Sequence, residues 1–125
     1  MKIIPVRDPG TERQFLTMPL RLYRNDPNYI RPFDADVQAV FDPQKNSRFQ
    51  RGDCARWLLT DNGGEPIGRI AAFYEKKSDN TDLWAGGCGF FECIDDQEAA
   101  NRLFDTARAW LSERGVEAMD GPINF

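Results

Sequence analysis

The chain has 125 residues and no histidine. That absence removes Ser-His and Cys-His nucleophile pairs from the chemistry its own side chains can do, and it takes away the usual ligand of a catalytic zinc. Cysteine is scarce as well. Cys54, Cys88 and Cys93 are an odd number without metal-type spacing, so they form neither a disulfide framework nor a metal motif. Free thiols fit a reducing compartment, and a cytoplasmic location is expected. Cys93 alternates with Phe91 along a short aromatic stretch, which gives it the character of a buried thiol rather than a nucleophile. No apolar run approaches the roughly 20 residues a membrane helix needs, and the opening Met-Lys-Ile-Ile-Pro is too short for a signal peptide, so no membrane association is expected. Positive charge is not massed anywhere. The 16 basic residues are scattered among 20 acidic ones for a net charge of −4, which excludes an electrostatic nucleic-acid footprint.

A hydrophobic content of 41% with 29% charged residues is that of an ordinary globular chain, long enough to bury a core; disordered and fibrous classes are excluded. The most informative stretch is residues 86–125. Ala100, Leu103, Phe104, Ala107, Trp110 and Leu111 recur at the spacing that lines one face of a helix, while Arg102, Asp105, Arg108 and Glu113 fall on the other. Asp95 or Asp96 can cap its start, with Glu98 three residues after Asp95 as in a capping box. Arg114 in the last turn and Gly115 after it mark the end. Phe90-Phe91-Glu92-Cys93-Ile94 before the helix and residues 116–119 after it are β-prone, which predicts a β-α-β unit with parallel strands and a right-handed connection.

The first half supplies the remaining elements. Lys2-Ile3-Ile4-Pro5-Val6 is an edge-type strand, because proline cannot serve a central ladder, and Asp8-Pro9-Gly10 reads as its turn. Thr11-Glu12-Arg13-Gln14 has the form of a capping box ahead of a helical face of Phe15, Leu16, Pro19, Leu20 and Tyr23, which Pro19 should kink or split. Residues 29–33 should be extended, since each proline restricts the residue before it. Asp34 is placed to cap a short helix carrying Val37, Val40 and Phe41. Residues 44–53 read as a polar loop with Lys45, Arg48 and Arg51, either a solvated loop or an anion contact. Residues 54–60 and 66–74 then form a hairpin about Asp61-Asn62-Gly63-Gly64. Arg69 is anomalous in that apolar strand, either at its solvent end or paired with a carboxylate. The fold class is therefore α/β (α+β), with the order β-α-α-β-β-β-α-β and helices packed on a mixed sheet.

This order resembles the first two-thirds of the GNAT acyltransferases, which move acyl groups from acyl-coenzyme A to amines. The likeness is carried by Gly89-Phe90-Phe91-Glu92-Cys93-Ile94-Asp95-Asp96-Gln97-Glu98, by Ala109-Trp110-Leu111 and by Gly121-Pro122-Ile123-Asn124-Phe125, with Glu65-Pro66-Ile67-Gly68-Arg69-Ile70-Ala71 as the preceding strand. It implies one GNAT-like domain over residues 1–125, truncated at its carboxy-terminal end. It further implies a strand that splays from the next and offers backbone groups of Glu92, Cys93 and Ile94 to the pantetheine arm of acetyl-CoA or another acyl-CoA, with Asp120 and Asn124 lining the same cleft and no metal. Glu92 is the candidate catalytic base for a small-molecule or protein amine, the alternative being a surface or salt-bridged glutamate. Possible further partners are a second copy or the missing carboxy-terminal part. The family's glycine-rich pyrophosphate loop is replaced here by Asp95-Asp96-Gln97-Glu98-Ala99-Ala100. A first-turn carboxylate stabilises a helix by roughly 0.3–1 kcal/mol, whereas one about 5 Å from a phosphate charge costs roughly 3 kcal/mol at an effective dielectric near 20. These acids therefore suit the helix better than a cofactor, which leaves a non-catalytic GNAT-like module as the alternative function.

Overall fold

A computed structural model describes residues 1–79 and 82–123. Among these residues, five strands and three α-helices follow the expected order: β1 (Lys2–Pro5), α1 (Pro9–Leu22), α2 (Asp34–Val40), β2 (Gly52–Thr60), β3 (Pro66–Glu75), β4 (Ala85–Cys93), α3 (Gln97–Glu113) and β5 (Ala118–Asp120). The sheet runs β1-β2-β3-β4-β5, antiparallel throughout except for the parallel β4/β5 pair. β1 lies at the edge, where Pro5 removes no ladder bond a neighbour needs.

Strand alternation divides the core between the two sheet faces. Trp57, Leu59, Ile70, Ala72 and Cys88 pack against Ala99, Leu103, Ala107 and Leu111 of α3. On the opposite face Leu58 and Ala71 meet Phe15, Met18, Val37 and Phe41 of α1 and α2. Leu103 is fully buried, and burying such a side chain contributes about 1.5–3 kcal/mol. Leu103, Ala107 and Leu111 are buried as the periodicity predicts, with Phe104 and Trp110 partly buried beside them, but at the start of the face it is Ala99 rather than Ala100 that enters the core. The cap of α3 is Asp96, whose carboxylate accepts from the Glu98 and Ala99 amides; Glu98 is then the second helical residue and forms no capping box. Gly115, at φ 85°, ends the helix in the left-handed region that glycine enters without a Cβ penalty.

The amino-terminal half corrects several expectations. Asp8 caps α1, with Pro9 as its first residue, and Thr11 is the third-position partner of that capping box rather than its start. Asp34 is likewise the first residue of α2; the cap is Phe33, without a side-chain bond, and Asp34 instead pairs with Arg31. The loop over residues 44–53 contains a 3-10 turn at Ser47–Gln50, and its Arg48 pairs with Glu75.

Pro19 does not split α1, which runs on to Leu22. A proline within a helix deprives the carbonyl four residues earlier of its donor. That carbonyl is Phe15 O, and it accepts a 2.6 Å bond from the guanidinium of Arg69 in β3. Arg69 is only 5% exposed, so it is not at a solvent end, and its recorded hydrogen bonds go to backbone carbonyls. The proline and the arginine that the sequence presents as two separate anomalies are one interaction.

Candidate active site

β4 leaves regular geometry at Phe90, whose φ of 51° is a left-handed conformation unusual for a bulky residue. The register with β3 shifts there: Arg69 opposes Glu92, but Ala71 opposes Gly89. This is a β-bulge, which adds a residue to one strand and re-aims the side chains beyond it. Strain of this kind, of order 1–3 kcal/mol, concentrates at functional sites. Arg69 holds the turned carbonyl, donating from Nε to Phe90 O at 3.0 Å, and its guanidinium lies 4.8 Å from the Phe15 ring centroid and 5.8 Å from that of Phe90.

The two parallel strands separate just before the bulge. β4 and β5 pair only from Ala85/Ala118 to Gly87/Asp120. Gly121, at φ 152°, then passes close over Cys88; a Cβ placed on it would meet the Cys88 carbonyl at 2.6 Å, so glycine is required. The Gly121-Pro122 bond is cis, and the Ile123 amide closes onto Cys88 O at 2.7 Å. The result is a cleft of about 400 Å3 lined by Pro32, Val37, Arg69, Phe90, Phe91, Glu92, Pro122 and Ile123.

Backbone directions follow from the register. The Ile94 amide donates to Ile67 O, and the Ile94 carbonyl accepts from the Asp96 amide, so both groups are used within the chain. Because antiparallel hydrogen bonding alternates, Glu92, opposite Arg69, also turns its backbone toward β3. Phe91 and Cys93 therefore turn theirs toward the side from which β5 has diverged. Of the three backbone positions expected to face a cofactor, Cys93 stands on the open edge. Its side chain is half-buried against the α3 cluster, and burial, reinforced by Asp96, raises its thiol pKa.

The Glu92 side chain is half-buried in the cleft wall and accepts a 2.5 Å hydrogen bond from the Tyr23 hydroxyl at the end of α1. That bond, with burial adding to it, pushes the Tyr23 phenol up to about 12. Tyr23 stacks on Tyr29, ring centroids 4.5 Å apart. Burial lowers the pKa of Arg69, and Glu92 opposes that shift. Glu92 thus has tyrosine and arginine as its surroundings, and no salt bridge to it is recorded among the described residues. Neither Tyr23 nor Tyr29 carries a site signal in the sequence: Tyr23 reads as one more member of an apolar helical face, and its meeting with Glu92 depends on packing across 69 residues.

The other expected residues are spread out. Ile94 lines a separate groove of about 280 Å3 with Met18, Arg21, Leu22, Arg24, Asn25, Pro66 and Ile67. Asp120 is exposed at the end of β5, and Asn124 lies outside the described residues. A third cavity, of about 390 Å3, lies between α1 and α2, but its Arg56 is turned onto the Phe41 ring at 4.3 Å and stands 3.9 Å from Glu12. Among the described residues no cluster of acidic and cysteine side chains could hold a metal ion, and no helix is long and apolar enough to cross a membrane.

A mixed five-stranded sheet with one parallel pair opening into a cleft is the architecture of the GNAT acetyltransferases, and the chain has that fold. It matches a GNAT-family acetyltransferase of Staphylococcus aureus Mu50 with a TM-score of 0.59 and 15% identity, covering 92% of this chain and 68% of that one. A predicted acetyltransferase of Clostridium acetobutylicum, solved with acetyl-CoA, matches with a TM-score of 0.58 and 12% identity over 98% of this chain and 79% of that one. By sequence the chain is 31% identical to a bacterial ceramide synthase of Caulobacter vibrioides, over all of this chain and 33% of that protein. It spans about a third of the length of the curated relatives it matches. No family model matches.

Proposed function

We propose that the chain is part of an acyl-CoA-dependent N-acyltransferase. The observation that carries this reading is the opening between β4 and β5, with the Cys93 backbone on its open edge and the Glu92 carboxylate in its wall. An unpaired strand edge binds an extended ligand as an added strand would be bound, which is how the pantetheine arm would lie. Arg24 lines the neighbouring groove with Ile94, while Arg21 in the same groove is paired with Glu65.

In the reaction, the amine nitrogen attacks the thioester carbonyl and an amide bond forms. The carbon–sulfur bond breaks, and the amine proton passes through water to Glu92 and on to the leaving thiolate. General-base catalysis of this kind contributes about a hundred- to ten-thousandfold. The Caulobacter relative's name fits the same chemistry, because a ceramide is an amide of a long-chain amine. The test is acyl-CoA-dependent thiol release in the presence of amines: Glu92→Gln should lower kcat at least about a hundredfold with acyl-CoA affinity retained. An undiminished rate would remove Glu92 from the mechanism.

One observation favours a second reading, a GNAT-like module without cofactor. Asp95 and Asp96 stand at the start of α3 where a pyrophosphate would approach its amides, and Asp96 already occupies two of those amides. Under that reading the chain binds no acyl-CoA and releases no thiol.

A further inference from the structure

Glu92 projects from β4 on the α1 side of the sheet, since Phe91 and Cys93 on either side of it pack with the α3 cluster. A half-buried glutamate turns about several side-chain bonds and, left to itself, spreads its carboxylate over many rotamers. A general base must instead stand within hydrogen-bond reach of one proton, and a displacement of about 1 Å can cost about a hundredfold in rate. Among the described residues, the recorded hydrogen bond to the Glu92 side chain is the one from the Tyr23 hydroxyl, to Oε2 at 2.5 Å.

The tyrosine is itself held. Its amide donates to Pro19 O and its carbonyl accepts from the Asp26 amide, both at 2.9 Å, and its ring stacks on Tyr29. Arg69 ties together the two elements that carry the pair, because its guanidinium bonds Phe15 O in α1 and Phe90 O in β4. The chemistry of the donor also suits a base. An arginine or lysine in its place would hold the carboxylate but neutralise its charge, whereas a phenol pushed up to about 12 stays an uncharged donor at neutral pH.

We infer that Tyr23 is a positioning residue for Glu92: its hydroxyl fixes Oε2, so that Oε1 is the oxygen presented to the water that carries the amine proton. This role rests on the acyltransferase reading with Glu92 as its base, and it brings the end of α1 into the machinery of the reaction.

The experiment is thiol release from acetyl-CoA with butylamine and with octylamine, compared in the parent, Tyr23→Phe, Glu92→Gln and the variant carrying both, with melts to establish that each is folded at the assay temperature. Phenylalanine keeps the ring that stacks on Tyr29 and removes the hydroxyl alone. Tyr23→Phe should lower kcat at least about tenfold while the KM for acetyl-CoA changes by less than about twofold. In the Glu92→Gln background the same change should lower kcat by less than about twofold, since a residue that acts through another then has nothing to position. A bond that serves only the fold would cost the same factor in both backgrounds, or none in either. Each of those results would overturn the inference and, with Glu92→Gln still slow, leave the acyltransferase standing. A raised KM with kcat unchanged in Tyr23→Phe would overturn it as well. No thiol release by the parent with either amine would defeat the acyltransferase reading, and this inference with it.

Discussion

Replacing Arg69 by methionine leaves two carbonyls without their donor: Phe15 O, which Pro19 has already deprived of its helical partner, and Phe90 O in the bulge. Hydrogen bonds from a charged group contribute roughly 1.5–3 kcal/mol each, and the cation–π contacts about 0.5–2 kcal/mol. Against this stands the several kcal/mol cost of keeping a guanidinium out of water, which methionine does not incur. The net destabilisation should be about 2–4 kcal/mol. Unfolding entropy near 2.1 cal/mol/K per residue converts each kcal/mol into about 4 °C for a chain of this length, so the melting temperature should fall by about 8–15 °C. Pro19→Ala tests the cause. It restores an amide that can serve Phe15 O, so Arg69→Met should cost at least about 1 kcal/mol less in that background. Four melts, of the parent, both single variants and the double variant, measure the coupling. Additivity within about 0.5 kcal/mol would refute the claim that Arg69 stands in for the amide Pro19 lacks.

Three further outcomes follow from the same contacts. Asp96→Ala removes the cap of α3 and should lower the melting temperature by about 4 °C, equivalent to about 1 kcal/mol, while Asp95→Ala should change it by less than half as much; equal effects would contradict the cap assignment. Tyr23→Phe removes the donor to Glu92 and should destabilise the chain at neutral pH. Because the folded-state phenol pKa is raised to about 12, this contribution is fully present below the unfolded value near 10 and is lost as pH rises from about 10 through 12, so the difference between parent and variant should shrink over that range of denaturation measurements. Burial pushes the Cys54 thiol up to about 12 and raises Cys88 and Cys93, so all three should react with a disulfide reagent far more slowly in the folded chain than in denaturant at pH 8; labelling at the denatured rate would contradict their burial.

How far each feature could be read from the sequence depends on the range of the interactions that set it. α3 was legible because its periodicity, capping acids and terminal glycine all lie within 21 residues, and the β2/β3 hairpin because its turn residues are adjacent. Glu92 was legible as a candidate from its place in the strand before the helix. Its meeting with Tyr23 was not, since that contact joins residues 69 apart through the packing of α1 on the sheet. Pro19 and Arg69 each looked exceptional alone, and only the fold places the donor of one at the carbonyl orphaned by the other. The bulge at Phe90 carries no local signal either: a left-handed residue there favours glycine, and the glycine stands one position earlier at Gly89. The start of α1 lies three residues earlier than expected because Asp8 and Thr11 are both capping types, and that of α2 lies one residue earlier because Asp34, a capping type, pairs with Arg31 inside the first turn.

The most direct test of the central claim, that the opened β4 edge receives acyl-CoA, is a thermal melt of the chain with and without acetyl-CoA at about a hundred times its dissociation constant. Binding confined to the folded state then adds about 2.7 kcal/mol, an upward shift of about 10 °C, and added free coenzyme A should compete with it. A cooperative melt that does not move over the accessible range of acetyl-CoA concentrations would contradict cofactor binding at this edge and favour the non-catalytic module.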